Sequence, residues 1–538
     1  MPELADFREI EVPGPSAPLG VLPEVAAERH GDMRFLSDTP WTTYGGPVTT
    51  VAEFATAVRD YADRLWAAGV RRSDVVAVVQ RNHIEVEAVM CALGRIGALP
   101  VLLSSAMEVG ELLDCLARLD RPKLLVDAYG EARLAQSRHA LALLTSTVLS
   151  FADPEPGAAG WTVPAHDRAP HVADPRDEDD WFVVTHSSGT TGSPKLAAHS
   201  TRSLFGMVAP MIMLLRTQYN GGDLNAKHLS FVHARTCAGT LASLEANVPM
   251  LAIADPRLDN VKRLLLEHRP TSLETHPNVF IQWESLAADP DRPLGPVQRF
   301  ISTFDAIHPR TVRRLVAGSD EPGVHYLQAY GQTESGPICL QMVAGAAIAD
   351  YSPRNVGFPG PGIGLRIVDE HGEPVPDGEV GHIETLSPGR MRGYIGGGAV
   401  PVADEAWWPM GDLGRLLPDG SLELLDRIVE HVDGTESLLE KEDELLELLP
   451  ELVELVLVKA EREGVFAVAC PRAGHRGDEE RFHAAAEEVG LGRIPVRFWE
   501  WEALPVTGSY KVRRGVLRER LAARVTAIGD PKVLEGSK

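Results

Sequence analysis

Between residues 51 and 126 the apolar positions change period repeatedly. Val51–Ala68 carries Phe54, Val58, Tyr61, Ala62 and Leu65 at steps of three and four, the spacing of a helix that buries one face. Asp74–Gln80 reads DVVAVVQ, a continuous β-branched run suited to a strand covered on both faces. Ile84–Ala98 is helical again, Val101–Ser104 strand-like, Val109–Leu119 helical and Lys123–Val126 strand-like. Strand and helix alternating at this spacing predict parallel βαβ units. Residues 152–180, rich in Pro, Asp, Gly and Ala, read as a polar connection, and the alternation resumes at Trp181. From about 356 to 425 the pattern breaks into short runs punctuated by Gly and Pro, which predicts a β-rich subdomain closed by turns. An acidic helix over 436–449, then apolar runs at 455–458, 465–469 and 495–499, predict a separate small unit. The expected fold class is α/β: a large N-terminal domain of βαβ-type parallel sheets over 1–426, including the β-rich subdomain, and a small C-terminal α+β domain over 427–538.

Composition narrows the partners. At 538 residues the chain is too long for one core, and 44% hydrophobic with 24% charged residues is ordinary globular usage. Lys plus Arg number 52 against 76 Asp plus Glu, a net charge of −24. Such a surface repels phosphate backbones and anionic lipid, so no nucleic-acid partner and no membrane partner are expected. A small anion such as a nucleotide is still accessible to a local loop of amides and one lysine. No window offers the ~18 apolar residues of a spanning helix, and Met1–Asp6 lacks the start of a signal peptide. Five cysteines, scattered and never in a Cys-x-x-Cys pair, give neither a disulfide framework nor a zinc signature. A reduced, soluble, cytoplasmic protein is expected.

The strand-like Trp181–Val184 runs directly into Thr185-His186-Ser187-Ser188-Gly189-Thr190-Thr191-Gly192-Ser193-Pro194-Lys195. Glycines let amides approach oxyanions, hydroxyls add donors, and a lysine neutralises charge, which together make a phosphate cradle. The Walker spacing is absent. The segment resembles the phosphate loop of the adenylate-forming superfamily: acyl- and aryl-CoA synthetases, peptide-synthetase adenylation domains and luciferases. Further segments in family order carry the resemblance over most of the chain. Tyr330-Gly331-Gln332-Thr333-Glu334 is similar to the aromatic-Gly-x-Thr-Glu motif, and Trp408–Gly414 to the Thr-Gly-Asp segment. Leu425-Asp426-Arg427 stands where the family carries a Gly-Arg pair before its hinge. Leu504–Lys511 resembles Leu-Pro-x-Thr-x-x-Gly-Lys.

The resemblance implies a two-half reaction in which ATP and a small acid give an adenylate and pyrophosphate, and a nucleophile then takes the activated group. It implies ATP and Mg²⁺ as cofactors, with Glu334 holding the metal. Lys511, on a mobile C-terminal unit, would reach the α-phosphate and the acid oxygens. Thr333, Ser187, Ser188, Gly189, Thr190, Thr191, Gly192 and Lys195 would grip the phosphates. Asp412 would accept the ribose hydroxyls with Arg427 beside it, and Tyr330, with Gly331 and Gln332, would pack on the adenine. His233 falls where the family lines its acyl site, although a histidine after an apolar run also suits a core. His186 and His199 read as structural. Arg235 suits either a substrate anion or an exposed salt bridge.

Departures from the family pattern leave the acceptor open. Ser302–Ile307 replaces a small-residue turn near the adenine and substrate, and Asp305 there could receive an amino group or serve as a cap or salt-bridge partner. Tyr510 replaces the glycine before Lys511. The segment Glu430–Glu436 is short, acidic and without lysine or arginine, so coenzyme A is expected to be a poor acceptor. The leading expectation is an AMP-forming ligase of a small acyl or aryl carboxylic acid, with an amine, coenzyme A or a carrier protein as acceptor. Alternatives are amide formation, or activation of nitrite for diazotising an aryl amine. A non-catalytic nucleotide-binding homologue is the reading from another class, against which Lys195, Glu334, Asp412 and Lys511 stand together.

Overall fold

Thr50 and Glu53 set the start of the first long helix, Val51–Ala67. The Thr50 side chain accepts from the Glu53 amide at 3.3 Å, and Glu53 accepts from the Thr50 amide at 3.1 Å. Its Phe54, Val58, Tyr61 and Leu65 are fully buried, as their spacing predicts, each contributing about 1.5–3 kcal/mol. The computed structural model describes residues 14–151, 170–187, 194–219, 222–396, 406–427, 437–460, 464–472, 474–507 and 511–528.

The predicted alternation is present with shifted ends. Strand Val75–Val79 is followed by helix Glu85–Ile96, which ends where Gly97 takes φ +82°, and then by strand Leu99–Leu102. These strands pair in parallel with Lys123–Val126, Thr147–Ser150 and Trp181–His186 in a seven-stranded sheet. Leu196–Ser200 and Gly393–Ile395 complete that sheet antiparallel. Within the twelve-stranded sheet, Phe35–Ser37, Met250–Ala252, Asn225–His228, Ser272–Thr275, Arg299–Ser302 and His325–Gln332 run parallel. Antiparallel strands from Gly336–Ala344 onward extend the same sheet through the Gly- and Pro-rich region. That expected β-rich region is thus hydrogen-bonded to the parallel strands and lends one strand, Gly393–Ile395, to the other sheet.

The C-terminal strands Leu452–Ala460, Gly464–Pro471 and Val496–Phe498 form their own three-stranded sheet, packed by helix Leu438–Leu448. This sheet meets the rest of the chain through polar contacts. His308 touches Asp443 at 2.9 Å through Nδ1 and Glu454 at 3.0 Å through Nε2. Arg310 donates to the carbonyls of Leu446 and Leu452 at 2.6 and 2.8 Å. Burial disfavours a charged His308, but the Glu454 and Asp443 carboxylates outweigh it and raise its pKa to about 10. Among the described residues no helix is long and apolar enough to cross a membrane. All five cysteines are buried and none is joined in a disulfide.

Candidate active site

A cavity of about 380 Å³ runs along one face of the strand His325–Gln332. Because side chains alternate along a strand, His325, Leu327, Ala329 and Gly331 all line it, while Tyr326, Gln328 and Tyr330 point the other way. The opposite walls are helical and keep a step of four. Met207, Met211 and Leu215 come from helix Thr201–Gln218, and Arg235, Gly239 and Ser243 from helix Ala234–Ala246.

Lys195, Thr333, Glu334, His233 and Lys511 meet at one end. The edges of the phosphate-loop segment are clamped there: the Ser187 amide donates to the Lys195 carbonyl at 2.9 Å, and the Lys195 amide to Ser187 Oγ at 3.0 Å. Ser188, Gly189, Thr190, Thr191 and Gly192 lie outside the described residues, as do Tyr510 and the acidic segment Glu430–Glu436. Lys511 is set by a tight return of the chain, in which the Thr507 amide donates to the Lys511 carbonyl at 2.8 Å and the Lys511 amide to Thr507 Oγ1 at 3.2 Å.

His233 caps helix Ala234–Ala246 by accepting from the Arg235 amide at Nδ1, 3.2 Å away. That contact assigns the proton to Nε2, which lies 3.3 Å from Thr333 Oγ1. Burial, reinforced by the positive charges of Lys511 and Arg235, holds its pKa well below the ordinary 6.5. A neutral ring donating to Thr333 leaves the threonine proton available for an oxyanion. Glu334 accepts from Tyr394 Oη at 2.7 Å, and Lys195 Nζ lies 5.2 Å from the centre of the Tyr394 ring. Tyr394 thus links two residues of separate motifs, and it carries no motif of its own in the sequence.

On the other face of the strand, Tyr330 Oη donates to Asp412 Oδ2 at 2.5 Å. Gln332 lines the cavity and donates to Met410 Sδ at 3.3 Å. Gly331 is required between them, because a Cβ there would sit 2.1 Å from the Gly336 carbonyl oxygen. The Arg427 backbone pairs with Asp412 across adjacent strands, and its side chain lies outside the described residues.

Two expectations need correction. Asp305 is exposed, accepts only from the neighbouring Ala306 amide at 3.1 Å among the described contacts, and does not line the cavity. Phe304 does instead: with φ +85° its ring turns inward against His233 and His276, at centroid distances of 4.6 and 4.3 Å. Arg235 makes no exposed salt bridge; it pairs with Glu274 Oε1 at 2.5 Å, with the side chains 14% and 3% exposed. His186 is buried between the Ser104 amide and the Ser187 carbonyl, and His199 is fully buried.

The other end of the cavity is polar. Lys227, Glu274, Ile301 and Leu327 stand in register across four parallel strands, with Asn225, Ser272, Arg299 and His325 in register two residues below. Lys227 is 2% exposed and donates to Thr240 Oγ1 at 3.0 Å. Arg299 is held by Asp223 and Ser272 and stacks 4.0 Å from the Tyr219 ring centre. Burial lowers the Lys227 pKa, opposed by Glu87 and Glu274, and burial raises that of Glu87, opposed by Lys227. In the sequence Lys227 sits in the polar stretch Asn225-Ala226-Lys227-His228, so no local pattern marks this end. Among the described residues no cluster of three His, Cys, Asp or Glu is placed to hold a metal, whereas Glu334 is the one carboxylate lining the Lys511 end.

Comparison with known proteins gives a consistent picture. The family model described as AMP-binding enzyme matches residues 23–395. A 3-amino-2-hydroxy-4-methoxybenzoate diazotase of Streptomyces cremeus is 36% identical over 86% of this chain and 88% of its own length. A feruloyl-CoA synthase of an Amycolatopsis species is 27% identical over 89% of this chain and 95% of its own. The structure of an amide bond synthetase from Marinactinospora thermotolerans superposes with a TM-score of 0.74 at 23% identity, covering 94% of this chain and 99% of that one.

Proposed function

The chain belongs to the AMP-binding enzyme family, the adenylate-forming superfamily that its motifs resemble, and on that premise we propose that the acid it activates is nitrite, for diazotisation of an aromatic amine. Its class is that of an AMP-forming adenylating enzyme. The observation that carries the nitrite reading is the 36% identity to a diazotase across 86% of the chain, against 27% for an aryl-CoA synthase of similar coverage.

A nitrite oxygen attacks the α-phosphorus of ATP; a P–O bond forms, and the bond to pyrophosphate breaks. Negative charge grows on the transferring oxygens, so catalysis is alignment plus charge stabilisation. Lys511 and the Thr333 hydroxyl supply donors to those oxygens, and Lys195 supplies charge for the departing pyrophosphate. The neutral His233, donating to Thr333, is a positioning residue. Glu334, a single buried carboxylate beside the phosphate site, suits Mg²⁺ held mainly by phosphate oxygens, and that ion would offset phosphate charge when bound. Asp412 receives the ribose hydroxyls, with Tyr330 fixing its carboxylate and Arg427 beside it. The amine nitrogen then attacks the nitrite nitrogen, AMP leaves, and one amine proton is lost. The resulting N-nitrosamine tautomerises and loses hydroxide, leaving the diazonium.

Lys511 already lines the site with Lys195 and Thr333, so reorientation of the C-terminal unit about the segment near Asp426–Glu430 would open the site for exchange of nucleotide and products. ATP supply and cysteines free of disulfides suit the cytoplasm. The test is to supply ATP, Mg²⁺, nitrite and aminobenzoates, then measure pyrophosphate, AMP and diazonium trapped as an azo dye. Pyrophosphate released with a carboxylic acid alone, and thioester or amide formed in place of dye, would favour the acyl-ligase reading that the feruloyl-CoA synthase likeness supports.

A further inference from the structure

We infer that Lys227 and Arg235 form a carboxylate-binding subsite, so that the aromatic amine handled here is an aminoaryl carboxylic acid held by its carboxylate at the end of the cavity remote from Lys511. The inference rests on the diazotase reading, since it makes the carboxylate an anchor and not the group activated.

Its basis is placement. Leu327, level with Lys227, lies four residues before Gly331 on a strand whose alternate residues line the cavity, a distance of about 13 Å at ~3.3 Å per residue. That span has room for one substituted aromatic ring. Its walls are apolar, from Met207, Met211, Leu215, Phe304 and Leu327. Apolar walls between two polar ends suit a flat ring with a polar group at each end.

The far end carries more positive than negative charge facing the ligand. Lys227 and Arg235 line it, and Glu274, which takes one Arg235 nitrogen, is the lining carboxylate there. Arg299 is already matched by Asp223. Glu87 is fully buried and does not line the cavity; its carboxylate supports the charge of Lys227 without facing the ligand. Thr240 takes one of the three N–H donors of Lys227. Gly239 lies beside both cations and leaves room for Arg235: a Cβ there would come within 2.6 Å of Arg235 Nη1 and 3.9 Å of Lys227 Nζ. A buried ammonium beside a guanidinium, at the floor of an apolar slot, is suited to a carboxylate with charge-assisted hydrogen bonds.

The experiment begins with the unaltered protein and no nitrite. Binding of aminobenzoates, the matching aminobenzamides and aniline is measured by calorimetry. The acid is expected to bind about 10- to 100-fold more tightly than its amide, the size of a charge-assisted hydrogen bond to a buried cation. In Lys227→Gln and, separately, Arg235→Gln, that preference should shrink to within about threefold, with ATP binding as the check that each variant is folded. Equal binding of acid and amide, no aminobenzoate binding at millimolar concentration, or a preference surviving both substitutions would overturn the subsite. ATP–pyrophosphate exchange separates this failure from that of the diazotase reading. Exchange without response to nitrite, alongside an intact acid preference, sinks nitrite activation and leaves the subsite standing. Exchange driven by the aminobenzoate alone places its carboxylate at Lys511 and overturns both.

Discussion

Arg513 donates to both carboxylate oxygens of Glu111, at 2.9 and 3.2 Å, and ties the chain two residues beyond Lys511 to the helix Val109–Ala117. The pair bridges the unit that carries Lys511 and the unit that carries the phosphate loop. Arg513→Ala and Glu111→Gln should each slow adenylate formation by about 3- to 10-fold by loosening that orientation. Stability should change by only about 1 kcal/mol or less. Pyrophosphate-exchange rates and thermal melts of both variants and their double mutant check this, and the double mutant should be no slower than either single one.

Lys511→Ala should lower kcat by about 10²–10³ with ATP affinity little changed, since the ammonium is worth most when charge develops in the transition state. Single-turnover adenylate formation, measured beside equilibrium ATP binding, separates the two quantities. An equal loss in both would reassign the lysine to ground-state binding.

Tyr394→Phe removes the donor 2.7 Å from Glu334 while keeping the ring near Lys195. A hydrogen bond to a charged carboxylate is worth about 1.5–3 kcal/mol, so the Mg²⁺ concentration for half-maximal rate should move by about 10-fold. Titration of activity against Mg²⁺ at saturating ATP reads the shift.

His308 couples domain contact to pH. Its folded-state pKa, raised from 6.5 to about 10, favours the protonated form when folded. Its stabilisation is therefore complete below about pH 6.5, falls as pH rises through the window to about 10, and is lost above it. His308→Gln, which leaves Asp443 and Glu454 without their cation, should cost about 3 kcal/mol at pH 6.5. The gap between wild type and variant should close by pH 10, and melting curves across that range test it.

Asp305 and Phe304 divide sharply. Asp305→Asn should leave kcat/KM within about twofold, because an exposed side chain away from other partners contributes little. Phe304→Ala should raise the amine KM by about 10-fold through loss of a ring that packs on His233 and His276. Steady-state kinetics of the two variants decide it.

The alternating parallel fold was legible because strands covered on both faces leave unmistakable β-branched runs, such as Val75–Val79. The phosphate-loop, Thr-Glu and C-terminal lysine segments were legible because their residue order is local. Lys227, Glu274 and Arg299 were not, because what unites them is register across three strands from distant parts of the chain. Tyr394 escaped notice because its strand leaves the Gly- and Pro-rich region to pair with Leu196–Ser200. Asp305 was misplaced because chain order alone cannot show that Phe304 adopts a left-handed backbone and turns its neighbour outward.

The strand His325–Gln332 works on two sides at once: its odd-numbered residues face the small-molecule cavity, and Tyr330, on its even side, holds Asp412. Changes at Leu327 or Ala329 should therefore alter the cavity wall without disturbing Asp412 on the opposite face. A one-residue insertion in the strand would disrupt both together. Such a division makes this strand a natural seat of evolvability. Under the proposed function, substrate range could drift at Leu327 and Ala329 while Tyr330 keeps its hold on Asp412 from the opposite face.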